Sequence, residues 1–246
     1  MVEQQGKNAA IIVIGNEILS GKVQDINSSY LTRELRLLGV DVQRITVIPD
    51  QIDLIGEEIA SARKKYDLIF TSGGVGPTHD DVTMEGIAKG VGRPLIHHPI
   101  LDQLLKSFYP GALNPAQSKL ADVPEGIELL HAEALRVPVL RFENIYIFPG
   151  IPDLLVKKFE AIKERFRETP FYLRRIFLIE EESLFADRLN ETLRRYPALL
   201  LGSYPILHHP DYKVILTLES KDKAYLDEAA GILLTLLPTE LVLKVE

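Results

Sequence analysis

Thr71-Ser-Gly-Gly-Val-Gly-Pro-Thr-His-Asp-Asp81 follows the apolar run Leu68-Ile-Phe70 and precedes Val82-Thr-Met-Glu-Gly-Ile-Ala-Lys89, whose apolar residues have helical spacing. A strand that hands over to a helix through a glycine loop is a unit of a parallel sheet. Such a loop exposes backbone N–H groups, and the helix N-terminus behind it adds positive potential. Gly73, Gly74 and Gly76, with Pro77, Thr78 and His79, therefore read as a cradle for phosphate. The carboxylates of Asp80 and Asp81 would repel a bare anion. The loop thus points to a phosphate-containing ligand handled with a cation, or to nucleotide chemistry assisted by carboxylates.

Outward from this loop, short apolar runs alternate with helical patterns through the first half of the chain. Residues 10–14 read as a buried strand, and Leu31, Leu35 and Leu38 mark one helix face capped by Gly39. Val40, Val42, Ile45 and Val47 suggest the second strand, and Ile52, Ile55, Ile59 and Ala62 the next helix. Further strands are expected near residues 127–131, 137–142 and 145–148. Leu155, Phe159, Ile162 and Phe166 mark one long helix after Pro152. Beyond Pro170 the rhythm becomes βαββαβ, the split βαβ pattern of ferredoxin-like domains. The expected architecture is a three-layer α/β/α domain with a mostly parallel sheet over residues 1–170. A small α+β ferredoxin-like domain over residues 171–246 follows it.

Glu17 follows the first strand, Asp50 the second, and Asp80 and Asp81 the third. In an open parallel sheet, ligands bind beyond the carboxyl ends of the strands, so these acids are expected to share one crevice. Each alone has an ordinary reading as a turn or helix cap. Together, beside a glycine loop, they read as ligands for a divalent cation. The loop is neither G-x-G-x-x-G nor G-x-x-x-x-G-K-[ST], which argues against a dinucleotide-binding dehydrogenase or a P-loop NTPase. None of the six histidines forms H-E-x-x-H, and no G-x-S-x-G elbow supports a serine hydrolase.

The chain has 246 residues, 46% hydrophobic and 26% charged, with net charge −7. That balance suits a globular protein and argues against non-specific nucleic-acid binding. The absence of cysteine excludes disulfides, thiolate zinc sites and a cysteine nucleophile. No leader pattern or membrane-length apolar run is present, so a cytoplasmic enzyme with no membrane partner is expected.

Gly15-Asn-Glu-Ile-Leu-Ser-Gly21, Ile48-Pro-Asp50, Gly73-Gly-Val-Gly-Pro-Thr-His-Asp-Asp-Val-Thr83 and Phe148-Pro-Gly-Ile-Pro152 resemble the molybdopterin-binding-like (MoaB/Mog) superfamily. Within it, the chain is most similar to the domain of competence/damage-inducible protein A and the N-terminal domain of eukaryotic FAD synthase. Asn144-Ile-Tyr-Ile-Phe-Pro-Gly-Ile-Pro-Asp-Leu-Leu155 looks especially like the latter. The resemblance implies the aspartate pair Asp50 and Asp81 as the functional centre. Lys119 matches a basic family position that would contact phosphate, and Gly150 belongs to the ligand-binding loops. His131-Ala-Glu-Ala-Leu-Arg-Val-Pro138 stands where competence proteins carry an Asn-Pro-x-Gly-Thr-Ala-Pro-Gly-like segment, which moves the chain toward the FAD-synthase type.

What the resemblance implies is a metal-dependent nucleotide pyrophosphatase acting on FAD or ADP-ribose. The cation, held by Glu17, Asp50, Asp80 and Asp81, would be Mg2+ or a transition metal such as Co2+, with K+ as a further candidate. Two alternatives stand beside it: binding or adenylylation of molybdopterin, and a non-catalytic nucleotide-binding module. The expected small-molecule partner is a nucleotide or a pterin. A homo-oligomer, dimer or trimer, is expected by analogy with the family.

Overall fold

The computed structural model describes residues 6–109 and 111–246, and the leader reading of residues 1–5 lies outside them. The chain forms two compact units, residues 7–168 and residues 169–246, the latter with Gly6.

The first unit opens with β1 (Asn8–Ile14), α1 (Asn16–Leu19), α2 (Asn27–Leu37), β2 (Asp41–Ile48), α3 (Ile52–Ala62), β3 (Leu68–Ser72) and α4 (Thr83–Val91). It continues with β4 (Leu95–His97), α5 (Pro99–Phe108), α6 (Pro115–Lys119) and β5 (Asp122–Pro124). β6 (Glu128–Leu130), β7 (Val139–Phe142), β8 (Ile145–Phe148) and α7 (Pro152–Glu160) complete it, with a 3-10 turn at Lys163–Phe166. The main sheet runs β2-β1-β3-β8-β7-β6. Neighbours from β2 to β8 are parallel, and β7 is antiparallel to both β8 and β6.

Strand alternation builds the layers. Ile11, Val13, Phe70, Tyr146 and Phe148 face one core with Leu31 and Leu35 of α2 and Leu155 and Phe159 of α7. Ile12, Ile14, Ile69, Ile145 and Ile147 face the other, with Ile55 and Ile59 of α3, Ile87 of α4 and Leu101 of α5. Because side chains alternate with period two along a strand, one apolar run feeds both cores. The result is a three-layer α/β/α unit with a mostly parallel sheet.

Local signals explain the element ends. Helix α2 closes in a Schellman arrangement: Val40 N–H donates to the Leu35 carbonyl at 2.9 Å and Gly39 N–H to that of Arg36 at 3.0 Å. Gly39 takes φ 83° there, a conformation glycine adopts without a Cβ penalty. Two details depart from the sequence pattern. A register shift between Ala9 and Ala10 pairs Val42 and then Arg44 with successive β1 residues. This bulge keeps Ile45 and Val47 on the same face as Val42, beside Ile11 and Val13, and at the sheet edge Ile45 stays 48% exposed. The long helix expected after Pro152 also breaks at Ala161 into the 3-10 turn. That tightening delivers Phe166 to the rings of Phe70 and Tyr146, with centroids 5.0 and 4.8 Å away.

The second unit contains β9 (Tyr172–Leu178), α8 (Ala186–Arg195), β10 (Leu200–Pro205), β11 (Val214–Ser220), α9 (Lys223–Leu236) and β12 (Val242–Val245). Its sheet order is β10-β11-β9-β12, antiparallel throughout. β11 therefore lies between the two strands joined through α8, which is the split βαβ arrangement. Leu216 and Leu218 of β11 pack with Leu226 and Leu233 of α9 in a core of their own. Among the described residues, no helix is long and apolar enough to cross a membrane.

Candidate functional site

The chain passes from β1 to β2 on one side of the sheet and then returns across β1 to β3. The carboxyl ends of β1 and β3 thus sit where the winding reverses, the place where open α/β sheets leave a crevice. The glycine loop begins there. Gly73 N–H donates to the Phe148 carbonyl at 3.2 Å, and the residue turns with φ 106° beneath the end of β1. A Cβ at Gly73 would overlap the Ile14 carbonyl oxygen, so only glycine fits between the two strand ends. Thr83, the first residue of α4, ties the loop back: its hydroxyl donates to the Gly73 carbonyl at 2.9 Å and its N–H to that of Gly74 at 3.0 Å. Among the described residues, the N–H groups of Val75 and Gly76 donate to no protein acceptor.

A cleft of about 500 Å³ opens above this turn, and Glu17, Asp50, Asp80 and Asp81 line it together with Gly73, Gly74, Gly76 and Gly150. Each acid is placed by local structure. Glu17 lies on α1, directly after β1. Asp50 follows β2 and accepts from Asn16 N–H at 2.7 Å, tying that strand end to α1. Asp81 accepts from Thr78 N–H at 2.9 Å and from the Thr78 hydroxyl, which closes the tip of the loop. The Asp80 carboxyl is held below the usual carboxylate range, first by the Thr78 hydroxyl and then by its own backbone, with His79 and Lys119 adding positive charge.

Other residues singled out in the sequence stand elsewhere. Pro77, Thr78 and His79 occupy the exposed tip and are not among the residues that line the cleft. The His79 side chain is 98% exposed, with Asp80 at 3.9 Å. Lys119 lines a neighbouring cavity instead. Its ammonium donates to the Asp81 carbonyl at 2.6 Å and the Thr78 carbonyl at 3.4 Å, and pairs with Glu85 at 3.3 Å. Lys119 therefore fastens the loop's backbone.

Two features had no clear sequence signal. Asn27, buried at the start of α2, donates through its amide to the Ser72 hydroxyl at 2.9 Å and the Gly150 carbonyl at 2.8 Å. It joins the end of β3 to the loop after β8. The only hint was a polar pair, Asn27-Ser28, opening an otherwise amphipathic helix. The second feature is the neighbouring cavity, of about 420 Å³, which shares Gly74, Val75, Gly76 and Asp81 with the cleft.

Among the described residues, no three His, Asp or Glu side chains converge as a closed ligand group. The donors around the cleft are hard carboxylate oxygens beside a glycine loop. Mg2+ is usually bound through one or two carboxylates plus substrate phosphates rather than by an all-protein cage. The donor set therefore fits a cation that arrives with phosphate, with Asp50 and Asp81 the better-anchored pair.

Comparison with known proteins agrees with this architecture. Residues 10–168 match the family described as "Probable molybdopterin binding domain", and residues 170–246 match that described as "FAD synthase, middle domain". A protein of Archaeoglobus fulgidus is 34% identical over 219 residues, covering 89% of this chain and 93% of that protein. A probable FAD synthase of Caenorhabditis briggsae is 32% identical over 246 residues, covering 88% of this chain and 47% of that protein. The chain thus spans about half the length of that synthase. The crystal structure of the protein CinA from Thermoplasma acidophilum superposes with a TM-score of 0.60 at 31% identity, covering 66% of this chain and 100% of that one. The chain belongs to the probable molybdopterin-binding-domain family, and a region of the FAD synthase middle-domain type follows that domain.

Proposed function

We propose that this chain hydrolyses the phosphoanhydride of an adenine dinucleotide such as FAD, or of ADP-ribose, with the help of a divalent cation. The observation that carries the reading is the cleft itself, where Glu17, Asp50, Asp80 and Asp81 surround the glycine turn of residues 73–76. A cation shared with the ligand would balance four acids around a phosphate cradle. Asp50 and Asp81 would hold it, with Glu17 and Asp80 adding charge. When bound, the cation supplies Lewis-acid charge that offsets the negative charge developing on the bridging oxygen.

The chain's own groups do the rest. The N–H groups of Val75 and Gly76 bind non-bridging phosphate oxygens, and the hydrogen bonds from Thr83 keep that turn from relaxing. Asn27 holds Gly150 at the opposite lip. The reaction adds water across the anhydride. The water oxygen bonds to one phosphorus and the bridging oxygen leaves on the other phosphate, giving two phosphomonoesters, with the protons released to solvent.

The test is a screen of FAD, ADP-ribose, NAD and CoA against magnesium, manganese, cobalt and nickel, with products identified by mass. FAD should give FMN and AMP, and ADP-ribose should give ribose phosphate and AMP. Asp50→Asn and Asp81→Asn should each lower kcat on the order of 100-fold. Wild-type turnover by Asp81→Asn in the presence of metal would sink the mechanism. A pterin retained through purification, without anhydride cleavage, would reassign the cleft to pterin chemistry.

A further inference from the structure

The cavity beside the cleft differs from it in chemistry. Its apolar walls are Leu101, Leu105 and Phe108 of α5, Leu135 and Val137 of the segment after β6, and Leu154 of α7, while Glu85, Lys119 and Asp122 line it as well. At about 420 Å³ it falls within the usual range for small-molecule sites. It meets the cleft along the backbone of residues 74–76 and at Asp81. A ligand whose phosphates lie on the glycine turn can therefore place an attached ring here.

One wall is built from a stretch with no regular structure. Residues 131–138 form neither strand nor helix, yet their backbone is held from behind. The Lys158 ammonium donates to the Pro138 carbonyl at 2.6 Å and the Val137 carbonyl at 3.0 Å. Partial burial pushes this ammonium down to about 8, and its partners are the two carbonyls. A half-buried cation without a counter-charge costs some stability. Its place at the rim of a cavity that adjoins a phosphate cleft gives that cost a use. Arg136 stands at the same rim with its guanidinium 4.8 Å from the centre of the Phe108 ring, and Lys157 lies beside it.

We propose that this cavity is the ring subsite of the same site. It takes a planar fused heterocycle with one hydrocarbon edge and one electron-rich edge, of the isoalloxazine kind, and Lys158 positions its wall. The proposal deepens the anhydride reading and rests on it for the link between ring and phosphates. The chemistry of the walls makes the choice. A purine or pterin carries hydrogen-bonding atoms around most of its perimeter, and each one left unpaired against leucine weakens binding. An isoalloxazine buries a dimethylbenzene edge that needs no partner, while its carbonyl edge meets the cations at the rim.

Riboflavin, which has neither phosphate nor need of metal, is titrated into the full chain and binding is read as quenching of flavin fluorescence. Saturable binding is expected, with adenosine weaker. Val137→Asp introduces a charge into the wall at a residue 39% exposed, so folding should survive. It should weaken riboflavin about tenfold or more, and Leu105→Asp provides a second, independent wall variant. Lys158→Met should raise KM for FAD about tenfold while leaving kcat and the KM for ADP-ribose unchanged, and Lys158→Arg should restore it. Cleavage of FAD and ADP-ribose without riboflavin binding, or equal losses for both substrates in the Lys158 variant, overturns the subsite and leaves the anhydride reading intact. Riboflavin binding that both wall variants weaken, with no cleavage of either substrate, keeps the subsite and removes the reaction.

Discussion

Gly73→Ala isolates the contact on which the site's geometry depends. The residue has φ 106°, where an L side chain is strained, and its added Cβ would overlap the Ile14 oxygen and stand 3.2 Å from the Ile14 carbonyl carbon. That carbonyl belongs to the central strand β1, between β2 and β3, so it cannot swing aside as a flexible side chain would. The backbone strain costs about 1–2 kcal/mol, and forcing a methyl group into a filled space costs about 1–3 kcal/mol more. The total is about 2–5 kcal/mol. Gly92→Ala supplies the control. It has φ 70° with nothing within 4 Å of an added Cβ, so it bears the first cost without the second. Because two compact units can unfold separately, the readout is amide hydrogen exchange on peptides from β1 and β3, beside the urea midpoint. Equal effects of the two substitutions on β1 and β3 would refute the close approach of the strand ends as the reason for glycine at position 73.

Asn27→Leu removes the donor that joins Ser72 and Gly150 and leaves two acceptors without it, so a loss of about 2–4 kcal/mol is expected in urea unfolding. A loss below about 0.5 kcal/mol would mean that the β3–β8 lip does not need the amide. His97 bridges Asp122 at 2.8 Å and Asp102 at 3.2 Å, tying the paired strands β4 and β5 to α5. Hydrogen bonds donated to Asp122 and then Asp102 raise its pKa above the ordinary 6.5. Its stabilisation is therefore complete below that value and is lost as pH rises through the higher folded-state pKa. An NMR titration of the ring should show the raised midpoint, and His97→Gln should remove that share of the stability loss on going from acid to alkaline pH. A midpoint at or below 6.5 would contradict the bridge.

Much of the fold was legible because its signals are local. Ile11 and Val13 against Ile12 and Ile14 encode two buried faces in a single run, and Gly39 encodes the end of α2. Where reading failed, tertiary packing overrode period. Leu155, Phe159, Ile162 and Phe166 keep helical spacing, but the aromatic cluster around Phe70 draws Phe166 into a 3-10 turn. Ile45 keeps the core face beside Ile11, but β2 is the edge strand and leaves it 48% exposed. β4 and β5 are three residues each, too short for alternation to register.

The site divides in the same way. Glu17, Asp50, Asp80 and Asp81 were visible because each follows a strand, and parallel strands bring their carboxyl ends to one edge. The arrival of Gly150 beside Gly73, the fastening of the loop by Lys119, and the apolar cavity walled by α5, α7 and residues 131–138 depend on contacts between segments far apart in sequence. No local period encodes them. The sequence by itself determined the layers, the acids and the glycine turn, since backbone conformation and side-chain alternation are short-range. Only the tertiary structure decided which groups surround the ligand space, since strand order and side-chain packing set that enclosure across more than a hundred residues of chain, as between Asn27 and Gly150.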